Sequence, residues 1–163
     1  HKALNVLEEK GIVISPKEKE AAMIAILLHD IGHGPFSHAL EGILIKNVSH
    51  ETLSLALMKA LNQKHKGKLS MAIDMFTNAY KRPFFNQLIC SQLDMDRLDY
   101  LKRDSFYSGV TEGNISTDRI IAMLMVQEEQ LVVEEKGIYS IEKFLLARRL
   151  MSVSYTHLRA HET

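Results

Sequence analysis

Apolar residues recur at intervals of three and four along most of the chain, which is the period of an amphipathic helix. The pattern predicts a helix around Leu4 to Leu7, another from Pro16 to Leu28 and a third that begins after Ser49. Further helices are expected, in chain order, over residues 35–44, 69–79, 83–104, 116–125 and 142–151. The sequence therefore predicts a mainly helical domain.

The second of these helices has the clearest start and the most apolar end. Ser15 can cap it, Pro16 suits its first position, and Glu18 stands where a capping box needs a carboxylate. Its final turns are apolar on nearly every side, so we expect this end to lie deep in the core.

A strand pattern is confined to one short stretch. Residues 131–134 favour a strand, and residues 135–137 can turn the chain back into a second strand over 138–140. The predicted fold class is therefore all-α, a mainly helical bundle with one small β-hairpin near residues 131–140.

The length of the chain suits one domain. It has 163 residues, of which 46% are hydrophobic, and this is enough to bury a single core. We assign the domain to residues 1–151 and expect it to be truncated at its N-terminus, because the first helix is entered partway. Residues 152–163 are interpreted as a non-native tail, since the run from Val153 resembles the translation of a sequencing adapter.

Charge and cysteine content narrow the classes of function. The 20 basic and 20 acidic side chains cancel, so no overall field favours nucleic acid or a membrane as a partner. The single cysteine, Cys90, can form no internal disulfide, and its apolar neighbours predict a small buried side chain. No apolar run approaches the roughly 18 to 20 residues that span a bilayer. We therefore expect a cytoplasmic protein.

Four ionisable side chains follow the apolar end of the second helix: His29, Asp30, His33 and His38. An unpaired charge buried there would be costly, so a partner is required. Imidazole nitrogen and carboxylate oxygen together suit a divalent metal ion such as Mn, Fe, Zn or Mg. The alternative is structural, with Asp30 accepting backbone hydrogen bonds and His29 as a hydrogen-bonded core histidine.

A second polar cluster lies on the predicted helix that ends near Asp104. In a helix, Asp96, Tyr100 and Asp104 share one face with Arg97 beside them, whereas Leu98 lies on another side. This face offers a carboxylate for a metal, a cation for a phosphate and a phenolic hydroxyl for a sugar or phosphate. The alternative is a solvated face with Asp–Arg pairs.

The adjacent pair His50 and Glu51 opens the helix after Ser49. One hypothesis makes His50 a proton donor to a leaving oxygen, with Glu51 fixing its tautomer and raising its basicity. The alternative is that Glu51 only stabilises the positive end of the helix dipole.

Together these residues resemble the HD superfamily of metal-dependent phosphohydrolases, which is named for an adjacent metal-ligating His and Asp. The similarity is closest to the deoxynucleoside triphosphate triphosphohydrolase branch and covers residues 1 to 151. One shared motif is Gly32-His33-Gly34-Pro35-Phe36-Ser37-His38. The other runs from Asp94 to Tyr100 and is followed by Arg103-Asp104.

The resemblance implies a role for each matching residue. It makes His29, Asp30 and Asp96 metal ligands, and His50 and Glu51 the catalytic pair. It places His33 and His38 near the phosphates. It assigns substrate contacts to Arg97, Tyr100 and Asp104, with Arg97 on phosphate and Tyr100 crowding the 2′ carbon. The implied reaction releases a deoxynucleoside and triphosphate through a metal-activated water, in an intact protein that is a homo-oligomer.

The sequence departs from the branch in one respect. The family takes a first metal-ligating His from an upstream helix, in a context like His-Ser-Leu-Gly, and this chain has no such segment before His29. We therefore expect the fragment to bind metal weakly and to be impaired. Two alternatives remain: an HD hydrolase that acts on another nucleotide or phosphate ester, and a non-catalytic domain that binds nucleotide.

Overall fold

The computed structural model describes residues 1–34 and 48–160, and these residues are mainly helical, as predicted. The described residues form eight α-helices and one antiparallel pair of strands, which confirms the all-α class with a small hairpin. The helix expected over 35–44 lies outside the described residues. In chain order the elements are α1 (Lys2–Glu9), α2 (Pro16–Leu28), α3 (His50–Lys64), α4 (Ser70–Phe76), α5 (Phe84–Ile89), α6 (Met95–Ser108), α7 (Thr117–Ala122), β1 (Leu124–Gln127), β2 (Gln130–Val133) and α8 (Ile138–Ala160).

The chain divides into two compact units. The first contains His1 and Val13–Ser91, and the second contains Lys2–Ile12 and Gln92–Thr163. The first unit therefore holds α2 to α5, and the second holds α1, α6, α7, the hairpin and α8.

In the first unit, α2 packs against α4 and α5, and α3 packs against α4. Met58 of α3 contacts Leu69 and Ile73 in a buried cluster, on which apolar side chains of α2 also pack. The predicted capping box is present: Ser15 Oγ accepts from the Glu18 amide at 3.2 Å, and Glu18 Oε2 accepts from the Ser15 amide at 2.8 Å. These contacts fix the start of the helix that leads to His29.

The expectation that α2 ends deep in the core is wrong. Leu27 is 78% exposed and Met23 is 37% exposed, whereas the alanines at 21, 22 and 25 are buried. The last turns of the helix bury alanines and leave the larger apolar side chains partly or fully exposed, so the residues that follow it lie near a surface.

The helix expected over residues 83–104 is two helices. The chain leaves α5 at Cys90, whose backbone angles are φ −136° and ψ 82°, and re-enters a helix at Met95. Asp94 makes this new start because its side chain accepts a hydrogen bond from the Arg97 amide at 2.8 Å. Cys90 lies at the break and is exposed, so the prediction of a buried thiol is also wrong.

In the second unit, α1 packs against α7 and β1. Lys10, just after α1, donates hydrogen bonds to the carbonyl oxygens of Ala122 and Leu124, at 2.6 and 2.8 Å, and to Glu134 Oε1 at 2.6 Å. The side chain therefore ties the first helix of the chain to the hairpin.

The hairpin lies one strand earlier than predicted. Residues 124–127, of which 124 and 125 were expected in a helix, pair with 130–133. The two-residue turn uses Glu128 and Glu129 in left-handed conformations, with φ of 51° and 59°. Residues 138–140, expected as a strand, begin α8 instead. None of the described helices combines the length and apolar character needed to cross a membrane.

Candidate metal site

A tight turn after α2 carries His29, Asp30 and His33. The Ile31 amide donates to the Leu28 carbonyl at 3.2 Å, and the His33 amide donates to the Asp30 carbonyl at 3.0 Å. These bonds curl residues 29–33 into successive turns, so three ionisable side chains leave the backbone within a short distance of one another.

At Gly32 this turn lies in close contact with the start of α3. Its amide donates to Ser54 Oγ at 2.9 Å, and Ser54 is fully buried. A Cβ atom at position 32 would collide with the His50 carbonyl oxygen and the Ser54 amide nitrogen. The close approach therefore requires glycine, and it places the turn beside His50.

The ring of His29 lies between a backbone carbonyl and the Asp30 carboxylate. Its Nδ1 lies 2.7 Å from the Ile26 carbonyl oxygen, and since a carbonyl only accepts, this nitrogen carries the proton. The opposite nitrogen, Nε2, is 3.5 Å from Asp30 Oδ1. A backbone partner on one ring nitrogen, with the other left to bind, is the usual arrangement of a metal-ligating histidine.

Asp30 faces a second histidine as well. His33 Nε2 lies 3.6 Å from the same oxygen, Oδ1. The His33 ring stacks on the His50 ring, with centroids 4.1 Å apart and planes 12° apart. Asp30, His33 and His50 each offer a ligand atom, and these atoms all lie within 4.8 Å of one another. The nitrogen and oxygen donors and their spacing fit a divalent metal ion.

The other member of the predicted catalytic pair, Glu51, lies in the first turn of α3 and is exposed. Ser49 caps this helix, as predicted, by accepting from the Thr52 amide at 3.2 Å. The cap fixes His50 at the first helical position. His38 lies outside the described residues.

The remaining predicted site residues lie on α6, in the second unit. Asp96, Arg97, Tyr100 and Asp104 are half-buried, whereas Leu98 and Leu101 are buried, so the predicted polar face exists.

Two neighbouring side chains, Asp94 and Tyr100, orient Arg97. Its Nε donates to Asp94 Oδ2 at 3.1 Å. Burial disfavours the charged guanidinium, but the Asp94 carboxylate and a hydrogen bond with Tyr100 outweigh this and raise the pKa of Arg97 above its usual value. The Asp94 carboxylate therefore fixes the position of the Arg97 cation beside Tyr100.

Sequence reasoning missed two supporting residues. Asp94 both caps α6 and holds Arg97, and Ser54 anchors the turn at Gly32. Asp94 has the cap signal of an acidic residue just before a helix, but the prediction of one long helix from Pro83 hid it. Ser54 could have been found as a polar residue between Leu53 and Leu55, four positions after His50.

Comparisons with known proteins identify the family of the chain. The family model of the HD domain matches residues 2–104, and the model of an HD associated region matches residues 115–161. The chain is similar to a phosphohydrolase from Bacteroides thetaiotaomicron whose crystal structure is known. The two sequences are 58% identical and the two structures match with a TM-score of 0.88. The matched region covers 93% of this chain and 38% of the Bacteroides chain.

Curated relatives are more distant. The Bacillus subtilis protein YwfO is 33% identical over 141 residues, which cover 82% of this chain and 32% of that protein. A protein of Dictyostelium discoideum named as a deoxynucleoside triphosphate triphosphohydrolase SAMHD1 homolog is 28% identical over 162 residues, which cover 88% of this chain and 31% of that protein. The chain thus spans about a third of the length of these curated relatives.

HD domains bind divalent metal ions, and the first unit brings a group of His and Asp side chains together in a way that can hold one. With the HD model matching residues 2–104, the chain belongs to the HD-domain family of phosphohydrolases.

Proposed function

We propose that this protein hydrolyses deoxynucleoside triphosphates to a deoxynucleoside and inorganic triphosphate, by means of a metal-activated water. The observation that carries the proposal is the arrangement at Asp30, where His29 Nε2 lies 3.5 Å from a carboxylate oxygen while Nδ1 of the same ring is held by the Ile26 carbonyl. The choice of substrate rests on the motif from Asp94 to Asp104 and on the similarity to the SAMHD1 homolog.

His29 and Asp30 hold the ion in this proposal, and the resemblance adds Asp96 as a further ligand. When bound, a divalent metal ion supplies Lewis acidity toward a phosphoryl oxygen and makes a water molecule acidic enough to attack near neutral pH. The ion is of the Mn, Fe, Zn or Mg type, which nitrogen and carboxylate ligands accept.

The side chains of the protein bind the substrate and move the proton. Arg97, held by Asp94 and Tyr100, offers a fixed cation to a phosphate. Tyr100 and Asp104, one turn apart on the same face of α6, contact the sugar, and Tyr100 crowds the 2′ position. His50 donates a proton to the leaving oxygen, with Glu51 as its partner, while His33 and His38 contact the phosphates.

The proposal is tested by measuring release of triphosphate and deoxynucleoside from each of the four deoxynucleoside triphosphates with Mn²⁺. The assay uses the 163-residue chain. We expect Asp96→Asn to reduce the rate of hydrolysis by at least about 100-fold.

Asp99→Asn is the matched control, because it makes the same change on the same helix. Asp99 is 64% exposed and pairs with Arg103 at 2.7 Å, away from the predicted site face. Equal rates in Asp96→Asn and wild type would remove the proposed mechanism. Hydrolysis of a nucleoside monophosphate or another phosphate ester, without release of triphosphate, would favour a different substrate. Nucleotide binding without turnover would indicate a binding domain.

A further inference from the structure

We infer that a groove in the first unit binds an anionic amphiphile, which is a small molecule with an anionic head group and an aliphatic chain. The groove lies between α2 and the loop that joins α3 to α4, and its volume is about 820 Å³. Ligand pockets in proteins commonly enclose about 300–1,000 Å³, so the groove can hold a chain of medium length. The inference goes beyond the proposed function, since it concerns binding at residues to which the resemblance assigns no role.

The floor of the groove is apolar, and the core covers it from one side only. It is formed by Ala21, Ile24, Leu28, Leu61, Leu69 and Met71. Ile24, Leu28 and Leu61 pack against the buried cluster around Met58 and remain half-buried. Their open sides line the groove, so an aliphatic chain bound there would leave water and cover these side chains at the same time. Such burial of apolar surface is the main source of affinity for an aliphatic chain.

Two lysines give the lining of the groove a positive charge. Lys17 in the first turn of α2 and Lys68 in the loop after α3 both line it, together with His65. Among the residues that the structure describes, neither lysine has a carboxylate partner. Glu20 is the acidic residue of the lining, and two cations against one carboxylate leave a net positive charge. The groove therefore favours an anionic head group, which lysine binds as a point charge.

Charged and apolar positions follow one another along α2 in the order of a head and a tail. Lys17 and Glu20 lie in the first two turns of the helix, whereas Ile24 and Leu28 lie in later turns. At 1.5 Å per residue, Lys17 and Leu28 are separated by about 17 Å along the helix. A single molecule with an anionic head near the first and an aliphatic chain toward the second satisfies both. A bilayer offers its head groups but not its chains to a surface groove, so the geometry favours a free molecule.

Hydrogen bonds fix the loop that carries Lys68. The Asn62 side chain accepts from the Leu69 amide at 2.8 Å and donates to Ser70 Oγ at 3.1 Å. The Gly67 amide donates to the Asn62 carbonyl oxygen at 2.9 Å, in a turn where Gly67 has a φ of 83°. The backbone on both sides of Lys68 is therefore held before a ligand arrives, so binding costs little conformational freedom there.

The test is isothermal titration calorimetry of the 163-residue chain with sodium decanoate, at concentrations too low for micelles. We expect decanoate to bind. Octanoate is two methylenes shorter and should bind about 10-fold more weakly. Decyltrimethylammonium carries the opposite charge on a similar chain and should bind at least about 10-fold more weakly. Equal binding of decanoate and decyltrimethylammonium would overturn the inference, because the lysines would then play no part.

Substitutions separate the effect of charge from an effect on folding. Lys17→Gln and Lys68→Gln should each weaken decanoate binding by about 3-fold, whereas Glu20→Gln should tighten it by about 2-fold. Loss of structure could not give these opposite signs. Lys59→Gln is the matched control, since Lys59 is exposed on α3 and lies outside the groove, and it is expected to bind as wild type does. Unchanged affinity in folded Lys17→Gln and Lys68→Gln would overturn the inference.

A second measurement locates the bound chain without any substitution. On addition of decanoate, the methyl resonances of Ile24 and Leu28 should shift. Those of Leu27 should not, because Leu27 is 78% exposed and does not line the groove. Shifts of equal size at Leu27 would indicate non-specific adsorption to apolar surface and would overturn the inference.

A membrane is the other source of an anionic head group. Binding of the chain to phosphatidylglycerol vesicles without binding to decanoate would make the lysines part of a membrane-docking surface, and would also overturn the inference. None of these readouts requires hydrolysis, so failure of the groove to bind is distinguishable from failure of the proposed function.

Discussion

Replacing the buried carboxylate of Glu18 by an amide is expected to destabilise the first unit by about 2–3 kcal/mol at neutral pH. The side chain is 10% exposed and accepts hydrogen bonds from Tyr80 Oη at 2.9 Å and from Arg82 Nη1 at 3.2 Å. It also closes the capping box with Ser15. Glu18→Gln keeps the shape of the side chain but removes the charge that these donors stabilise.

The magnitude follows from the pKa of Glu18. Burial acts to raise this pKa, but the hydrogen bonds from Ser15, Tyr80 and Arg82 outweigh it and lower the pKa from 4.5 to about 2. A difference of about 2.5 units corresponds to at most about 3.4 kcal/mol, and we reduce this for the part of the site that water reaches. Because the folded pKa is the lower one, the stabilisation is present above pH 4.5 and is lost as the pH falls toward 2.

Urea unfolding followed by far-ultraviolet circular dichroism, at several pH values, measures the effect. With a slope of roughly 2 kcal/mol per molar urea, the midpoint of Glu18→Gln should fall by about 1 M at pH 7. The difference from wild type should then shrink below pH 4.5. Glu20→Gln is the matched control, two residues away on the exposed side of α2. A difference between Glu18→Gln and wild type that stays the same from pH 7 to pH 3 would refute the reasoning.

Two further substitutions test the contacts that shape each unit. Gly32→Ala should destabilise the chain by about 1–3 kcal/mol, because its Cβ collides with the α3 backbone. It should also weaken Co²⁺ binding at His33 and His50 by about 10-fold or more. A variant with wild-type stability and affinity would show that the turn can move away from α3 at no cost. Lys10→Met should cost about 1–3 kcal/mol, because it leaves the carbonyl oxygens of Ala122 and Leu124 without its ammonium group. Hydrogen exchange at the Glu134 amide, which bonds to the Met123 carbonyl, should accelerate in this variant, and unchanged exchange would count against the role of Lys10.

Local signals in the sequence predicted much of the fold. The capping box at Ser15 and the cap at Ser49 depend on residues within one turn of each other, so both are visible without the tertiary structure. The break after Cys90 was missed, since a cap at Asp94 is ambiguous when apolar residues continue on both sides. The hairpin was displaced because its turn uses two glutamates, Glu128 and Glu129, which are uncommon in the left-handed conformation it requires.

The candidate site was only partly predictable for a different reason. The pairing of His29 with Asp30 is evident from adjacency, but the stacking of His33 on His50 joins residues from two elements of the first unit. This stacking depends on the close contact of Gly32 with α3. The sequence shows that position 32 is glycine but does not show which element the glycine contacts. Motifs therefore identified the residue types, whereas the tertiary contact determined which of them can share an ion.

The contacts that shape the Asp30, His33 and His50 cluster all lie within the first unit: the Gly32–Ser54 hydrogen bond, the Ser49 cap and the turn bonds after Leu28. The contacts that Lys10 makes lie within the second. Because the two sets share no residue, their effects should be nearly additive. Lys10→Met should therefore lower the stability of the chain yet leave Co²⁺ bound at His33 and His50, whereas Gly32→Ala should impair both. Loss of this ion in folded Lys10→Met would mean that the cluster depends on more than its own turn and helix.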